Sequence, residues 1–298
     1  MLLLLLACTS PKDDSADPGP AAAPCWDDLA VGASAVVAEG FVDGTEGIAL
    51  VGERLFVSVP DGVVEVLPDG SNVPLVTTGH ALGLAPRGGG LLLADPGEFT
   101  LDGSGADGRV LAIGLDGSVE TLAEGLPNPN FVAVTPWGTV LVSDDTNETL
   151  WELDDGATVW LEGIPSPNGL GFSPAGDALY VATTFLPDPP IWAVPVGADH
   201  APGSAEALTT FATASAPDGL AVTADGRVLV AANLAGALIE VDPGTGGTAV
   251  LAQDLESPAS LAFGDGLTWD ACSVYVTSLY GSVVTRVSVG QTGAPLPE

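Results

Sequence analysis

Glu46, Asn130, Asn168 and Asp218 each open a short apolar run, and the same opening position recurs at His80 and Ala259. If the six openers converge, two carboxylates and two amide oxygens meet at one point. Two acids in a poorly solvated site repel one another and resist ionisation. A doubly charged cation removes that conflict, and carboxylate and carbonyl oxygens are the donors a hard cation takes. The set holds no Cys and one His, His80, which argues against a structural zinc site. Ca2+, with oxygens at about 2.3–2.6 Å, is the natural occupant. Another divalent cation such as Mn2+, Mg2+ or Zn2+ is the alternative. Imidazole suits proton transfer near neutrality, so His80 is a candidate general base beside such a site.

Taken alone, an Asn-Gly or Asp-Gly before a strand is ordinarily a turn. The repetition is what points to a site. Asn168-Gly169-Leu170-Gly171-Phe172 is followed by the turn Ser173–Asp177 and a second apolar run, Leu179-Tyr180-Val181-Ala182. The phrase returns from Asp218 to Val230 and from Asn130 to Val142, with looser copies from Glu46, His80 and Ala259. Each reads as a pair of antiparallel strands, and two further apolar runs complete every repeat, as in Ala237–Asp242 and Ala249–Leu255. Six repeats of 34 to 50 residues, each too small to bury its own faces, predict an all-β fold, a six-bladed β-propeller. The last repeat has three strands before the chain stops, so Ser34–Phe41 is expected to supply the fourth and close the ring. The propeller is expected to span 34–290, leaving 291–298 as a tail. In that arrangement the openers lie at one mouth of the central tunnel.

Composition bounds the partners. Six basic residues against 39 acidic ones give a net charge of −33, which excludes nucleic acid as a natural partner because phosphate binding needs Lys and Arg. A strongly acidic surface that keeps the chain soluble and monomeric is the plain reading of that charge. Met1–Ala7 with Cys8 resembles a bacterial lipoprotein signal, and 8–33 reads as an Asp- and Pro-rich tether. The apolar stretch is short and no Lys or Arg precedes it, which counts against the assignment unless the native start lies upstream. The expectation is an exported protein, periplasmic or at the cell surface, whose only membrane attachment is a lipid on Cys8. Cys25 and Cys272 both precede strands of the closing blade at the end away from the openers, so a disulfide between them would latch the ring. Two free buried thiols are the alternative.

Thr45-Glu46-Gly47, Pro129-Asn130, Ser166-Pro167-Asn168-Gly169-Leu170-Gly171-Phe172 and Ala216-Pro217-Asp218-Gly219-Leu220 resemble the gluconolactonase, senescence-marker-protein and luciferin-regenerating-enzyme family, related to paraoxonase and diisopropyl fluorophosphatase. The resemblance runs from about Ser34 to Gly290. It implies a divalent metal held by Glu46, Asn130, Asn168 and Asp218, with Asp218 also as the catalytic carboxylate. It places His80 where paraoxonase-like members carry a water-activating His. The implied activity is hydrolysis of a lactone or related ester as small-molecule substrate, with phosphotriester cleavage, or a non-catalytic propeller with a structural metal, as alternatives. Departures bear on the substrate. Family lactonases often have Arg two residues before the third opener and Asp just after it, where this chain has Asn128 and Phe131. The first motif continues Gly47-Ile48-Ala49-Leu50 instead of Gly-Pro-x-Trp. Loss of the Arg argues against a sugar-acid substrate and for a less polar one.

Overall fold

The computed structural model describes residues 25–98, 100 and 103–297. The signal-like segment 1–7, the lipid position Cys8 and the first part of the tether lie outside the described residues.

Alternation of apolar and polar residues over runs of four to eight, broken by Gly and Pro turns, yields 24 strands and no helix among the described residues. They form six four-stranded antiparallel sheets arranged as a six-bladed β-propeller. The innermost strands, in blade order, are Ile48–Val51, Leu84–Arg87, Pro129–Val134, Pro167–Phe172, Pro217–Val222 and Pro258–Phe263. Each packs against the next around the axis, and the sixth packs against the first. Neither sheet face is left to water: Leu55, Leu92, Leu141, Leu179 and Leu229, all in second strands, are fully buried between blades. A side chain of that size buried from water contributes about 1.5–3 kcal/mol.

The ring closes as the sequence predicts. Ser34–Glu39 forms the outermost strand of the sixth blade, with Ser34 opposite Val287 and Glu39 opposite Val283. Cys25 and Cys272 are disulfide-bonded with Cα atoms 5.0 Å apart. Beside them, Arg286 donates two hydrogen bonds of 2.8 Å to Asp28 and one of 2.7 Å to buried Asp270, and its guanidinium lies 4.8 Å from the Trp26 ring centre. The tether expected over 8–33 is therefore docked onto blade six from Cys25 onward. At the other end of the chain, Ala294 N–H donates to Val222 O and Ala224 N–H to Thr292 O, which pins the tail to blade five.

Candidate metal centre

Each innermost strand is entered through a tight corner. In four blades the residue two before the opener is left-handed: Gly44 at φ 91°, Ser166 at 48°, Ala216 at 47° and Ser257 at 42°. Non-glycine residues pay for this conformation, and such strain collects at functional sites. Pro129, Pro167, Pro217 and Pro258 then start their strands, where a missing N–H costs no ladder bond.

Strand pairing fixes which residues are equivalent. Ile48, Leu84, Val132, Leu170, Leu220 and Leu261 lie opposite Val57, Leu93, Val142, Val181, Val230 and Val276. Two residues earlier stand Glu46, Leu82, Asn130, Asn168, Asp218 and Ala259. Five of the six expected openers share this position, and in the second blade Leu82, two residues after His80, holds it. The Gly after the opener has a packing reason. A Cβ on Gly47 would come within 2.4 Å of Leu82 O, and one on Gly169 within 2.5 Å of Asp218 O. Only a bare backbone lets neighbouring inner strands approach this closely.

Glu46, Asn130, Asn168 and Asp218 line one cavity of about 710 Å3. His80 lines it too, but as an exposed rim residue. Asn130, Asn168 and Asp218 are 7%, 3% and 5% exposed. Glu46 Oε2 and Asn168 Oδ1 are buried and accept no hydrogen bond. Buried oxygens ordinarily have a partner, and leaving one without costs about 1–3 kcal/mol.

A fifth residue belongs to the site that the opener pattern does not reveal. Asp145 is 3% exposed, lines the same cavity, accepts a 2.8 Å hydrogen bond from Ser166 Oγ and a longer one of 3.4 Å from Asn130 Nδ2. In register it follows the second strand of its blade, and its equivalents are Pro60, Pro96, Thr184, Asn233 and Leu279, all at the cavity wall. Thr184 Oγ1 accepts from Asn168 Nδ2 at 3.0 Å and donates to Pro217 O at 2.7 Å. Asp145 and Thr184 thus do the same work in adjacent blades: each takes the amide nitrogen of an Asn. That leaves the amide oxygen for the centre. The neighbouring Asp144, last residue of that second strand, turns outward, to Thr146, Asn147 and Trp151. Likewise Ser58 ties Gly47 N–H to Leu82 O, Ser278 bonds Glu256 O and Asp95 pairs with Arg109.

Three acids crowded together are reluctant to ionise. Burial, followed by the charge of Asp145, raises the carboxyl of Glu46. Burial lifts Asp218 well above the ordinary carboxylate range, with the charges of Glu46 and Asp145 adding to it and the Asn168 amide opposing. Asp145 is pushed up to about 6 by burial, against its hydrogen bond from Ser166. Among the described residues no three His, Cys, Asp or Glu side chains form a group set to hold a metal ion by themselves. The available donors are a mixed set of carboxylates and amides. Two partnerless buried oxygens, and acids that gain from a positive charge, fit a hard divalent cation.

Residues 149–280 match the family described as SMP-30/Gluconolactonase/LRE-like region, a stretch that contains Asn168 and Asp218. No curated protein matches the chain. Among solved structures, a gluconolactonase from Xanthomonas campestris is 17% identical with a TM-score of 0.72, over 86% of this chain and 89% of that one. A calcium-binding regucalcin from Agrobacterium tumefaciens is 19% identical with a TM-score of 0.71, over 89% and 97%. A luciferin-regenerating enzyme is 17% identical with a TM-score of 0.71, over 89% and 98%. The family model thus meets the motif resemblance over residues 149–280, and the solved structures share the fold over 86–89% of this chain.

Proposed function

We propose that the chain is a hydrolase of lactones or related esters that depends on a divalent cation, Ca2+ first, held by Glu46, Asn130, Asn168 and Asp218. The observation that carries the reading is the pair of buried, partnerless oxygens on Glu46 and Asn168, facing the same cavity as Asp218. When bound, the cation would polarise a substrate carbonyl and stabilise negative charge as it develops, a contribution of several kcal/mol. The remaining work falls to the chain. Asp145 and Thr184 hold the amides of Asn130 and Asn168 in place. The carboxylate of Asp218 is the acceptor for the proton of an attacking water, and His80 on the rim can pass that proton to solvent.

Removing the cation with EDTA should abolish turnover of a lactone panel, and Ca2+ should restore it. Asp218→Asn should cut kcat by at least a hundredfold while the circular dichroism spectrum stays that of a folded β protein. A protein that binds Ca2+ tightly yet turns over no lactone, aryl ester or phosphotriester would be a binding propeller with a structural ion, and the hydrolase reading would fall. Export, with Cys8 as a lipid anchor, is proposed on the same footing. The Cys25–Cys272 disulfide supports it, because such bonds persist in oxidising compartments.

A further inference from the structure

The cavity wall is divided by blade. Behind the openers, blades three to five present Asp145, Thr184 and Asn233, whereas blades one, two and six present Pro60, Pro96 and Leu279. The opening ring repeats the division in blades two and six, whose Leu82 and Ala259 are its two apolar members, while blade one departs from it with Glu46. Further out, Phe185, Leu234 and Tyr280 are 61%, 65% and 75% exposed and all line the same mouth. Phe185 and Leu234 follow Thr184 and Asn233 on blades four and five and Tyr280 follows Leu279 on blade six, so the outer rim offers apolar cover on both sides and Tyr280 alone stands over the apolar arc.

Charge sharpens the requirement. Among the described residues no Lys or Arg lines the cavity, while Asp43, Glu46, Glu98, Asp145 and Asp218 do. Four arginines are engaged elsewhere: Arg54 with Glu65, Arg109 with Asp95, Arg227 with Asp242, and Arg286 with Asp28 and Asp270. Arg87 ends its inner strand, away from the openers. Apart from the proposed cation, an anionic substrate would meet five acids and, among the described residues, no Lys or Arg. A sugar lactone could pair some hydroxyls with the polar arc, but those turned toward Pro60, Pro96 and Leu279 would find no side-chain partner, and unpaired polar groups bind poorly.

We infer that the substrate is a neutral lactone or ester carrying an apolar chain or ring. Its carbonyl lies toward the polar arc of blades three to five, and its apolar part lies along Leu82, Pro96 and Leu279 and under Tyr280. The inference rests on the hydrolase reading for the reacting group and on the divided wall for everything else. A cavity of this volume suits a ligand larger than a bare five-membered lactone.

The test is a series of γ-lactones from γ-butyrolactone to γ-decalactone, set beside glucono-δ-lactone, with the Ca2+-loaded protein. The expected result is that kcat/KM rises about fourfold per added methylene over the first few, as burial of about 0.8 kcal/mol each requires. The gain should appear in KM, with glucono-δ-lactone the poorest of the set. Leu279→Asn should lower the ratio of long-chain to short-chain activity. A flat series, or preference for glucono-δ-lactone, overturns the inference and leaves the hydrolase standing. Calorimetric titration of Asp218→Asn with γ-decalactone and glucono-δ-lactone separates the two claims. Tighter binding of γ-decalactone without turnover by the parent protein keeps the apolar-ligand inference and removes the hydrolase. Equal or weaker binding of γ-decalactone overturns it whatever the turnover.

Discussion

At the scale of residues, the site depends on which way two amides face. An Asn side chain can turn its oxygen or its nitrogen toward a cation, and only the oxygen is a donor. Thr184 decides the matter for Asn168 by taking its Nδ2 at 3.0 Å. Thr184→Val removes that acceptor with little change of volume, so Ca2+ affinity should fall about 10- to 100-fold, the usual cost of losing an outer partner. Thr184→Ser should retain most of it, and competition with a fluorescent chelator measures both. The acids supply a second prediction, with a definite sign. Asp145 in the folded, metal-free protein titrates at about 6, above its ordinary value of 3.8, and Glu46 and Asp218 are raised as well. The folded state therefore binds more protons than the unfolded one between these values. Stability of the metal-free fold rises as pH falls through about 7, where Glu46 takes up its proton, and about 6, where Asp145 does, and the gain levels off near 4. In EDTA the melting temperature should climb on acidification across that window, while the increment produced by Ca2+ shrinks. A melting temperature in EDTA that falls monotonically from pH 7 to pH 4 would remove the electrostatic account of the site.

At the scale of elements, the inner strand is a positioning device with two tolerances. The corner before it sets the direction of the opener, and in four of the six blades a glycine after it sets the distance to the next blade. Gly169→Ala would place a methyl group 2.5 Å from Asp218 O, against backbone that cannot turn aside. The neighbouring strand must move, so the variant should lose about 1–3 kcal/mol of stability, read from the denaturant midpoint. It should also weaken Ca2+, because the displaced residue is a proposed ligand. The same device explains what could be read in advance. Pro-Asn-Gly and Pro-Asp-Gly carry corner, opener and spacer together, so Asn168 and Asp218 announce themselves. His80-Ala81-Leu82-Gly83 keeps the spacer but lacks the Pro, and a polar residue two places early passes for the opener. Asp145 gave no such signal. Its importance comes from strand pairing with Pro129–Val134, which places the residue after Asp144 against Asn130, and side-chain periodicity alone cannot separate two adjacent aspartates.

At the scale of the molecule, six openers can form one ring only while the blades are held in a closed circle, and the chain closes that circle once. Covalent closure comes from Cys25–Cys272, which spans 247 residues. Ionic closure comes from Arg286, 4% exposed, between Asp28 and Asp270. Both act on blade six, which contributes no polar residue to the opening ring, so the latch lies apart from the chemistry it protects. A crosslink over so long a loop restricts the unfolded chain strongly, and removing one typically costs about 2–5 kcal/mol. Cys272→Ser should lower the unfolding midpoint accordingly, and reduction of the parent protein should have the same effect. If the strand Ser34–Glu39 and the Arg286 network hold the ring without the disulfide, the reduced protein at 25 °C keeps its Ca2+ affinity within about twofold, because 1.4 kcal/mol is needed for each factor of ten. Loss of Ca2+ binding on reduction, with the protein still folded by circular dichroism, would instead mean that blade six strains the ring across to Glu46. Thr277, which donates to Glu46 O, is the contact through which such strain would travel.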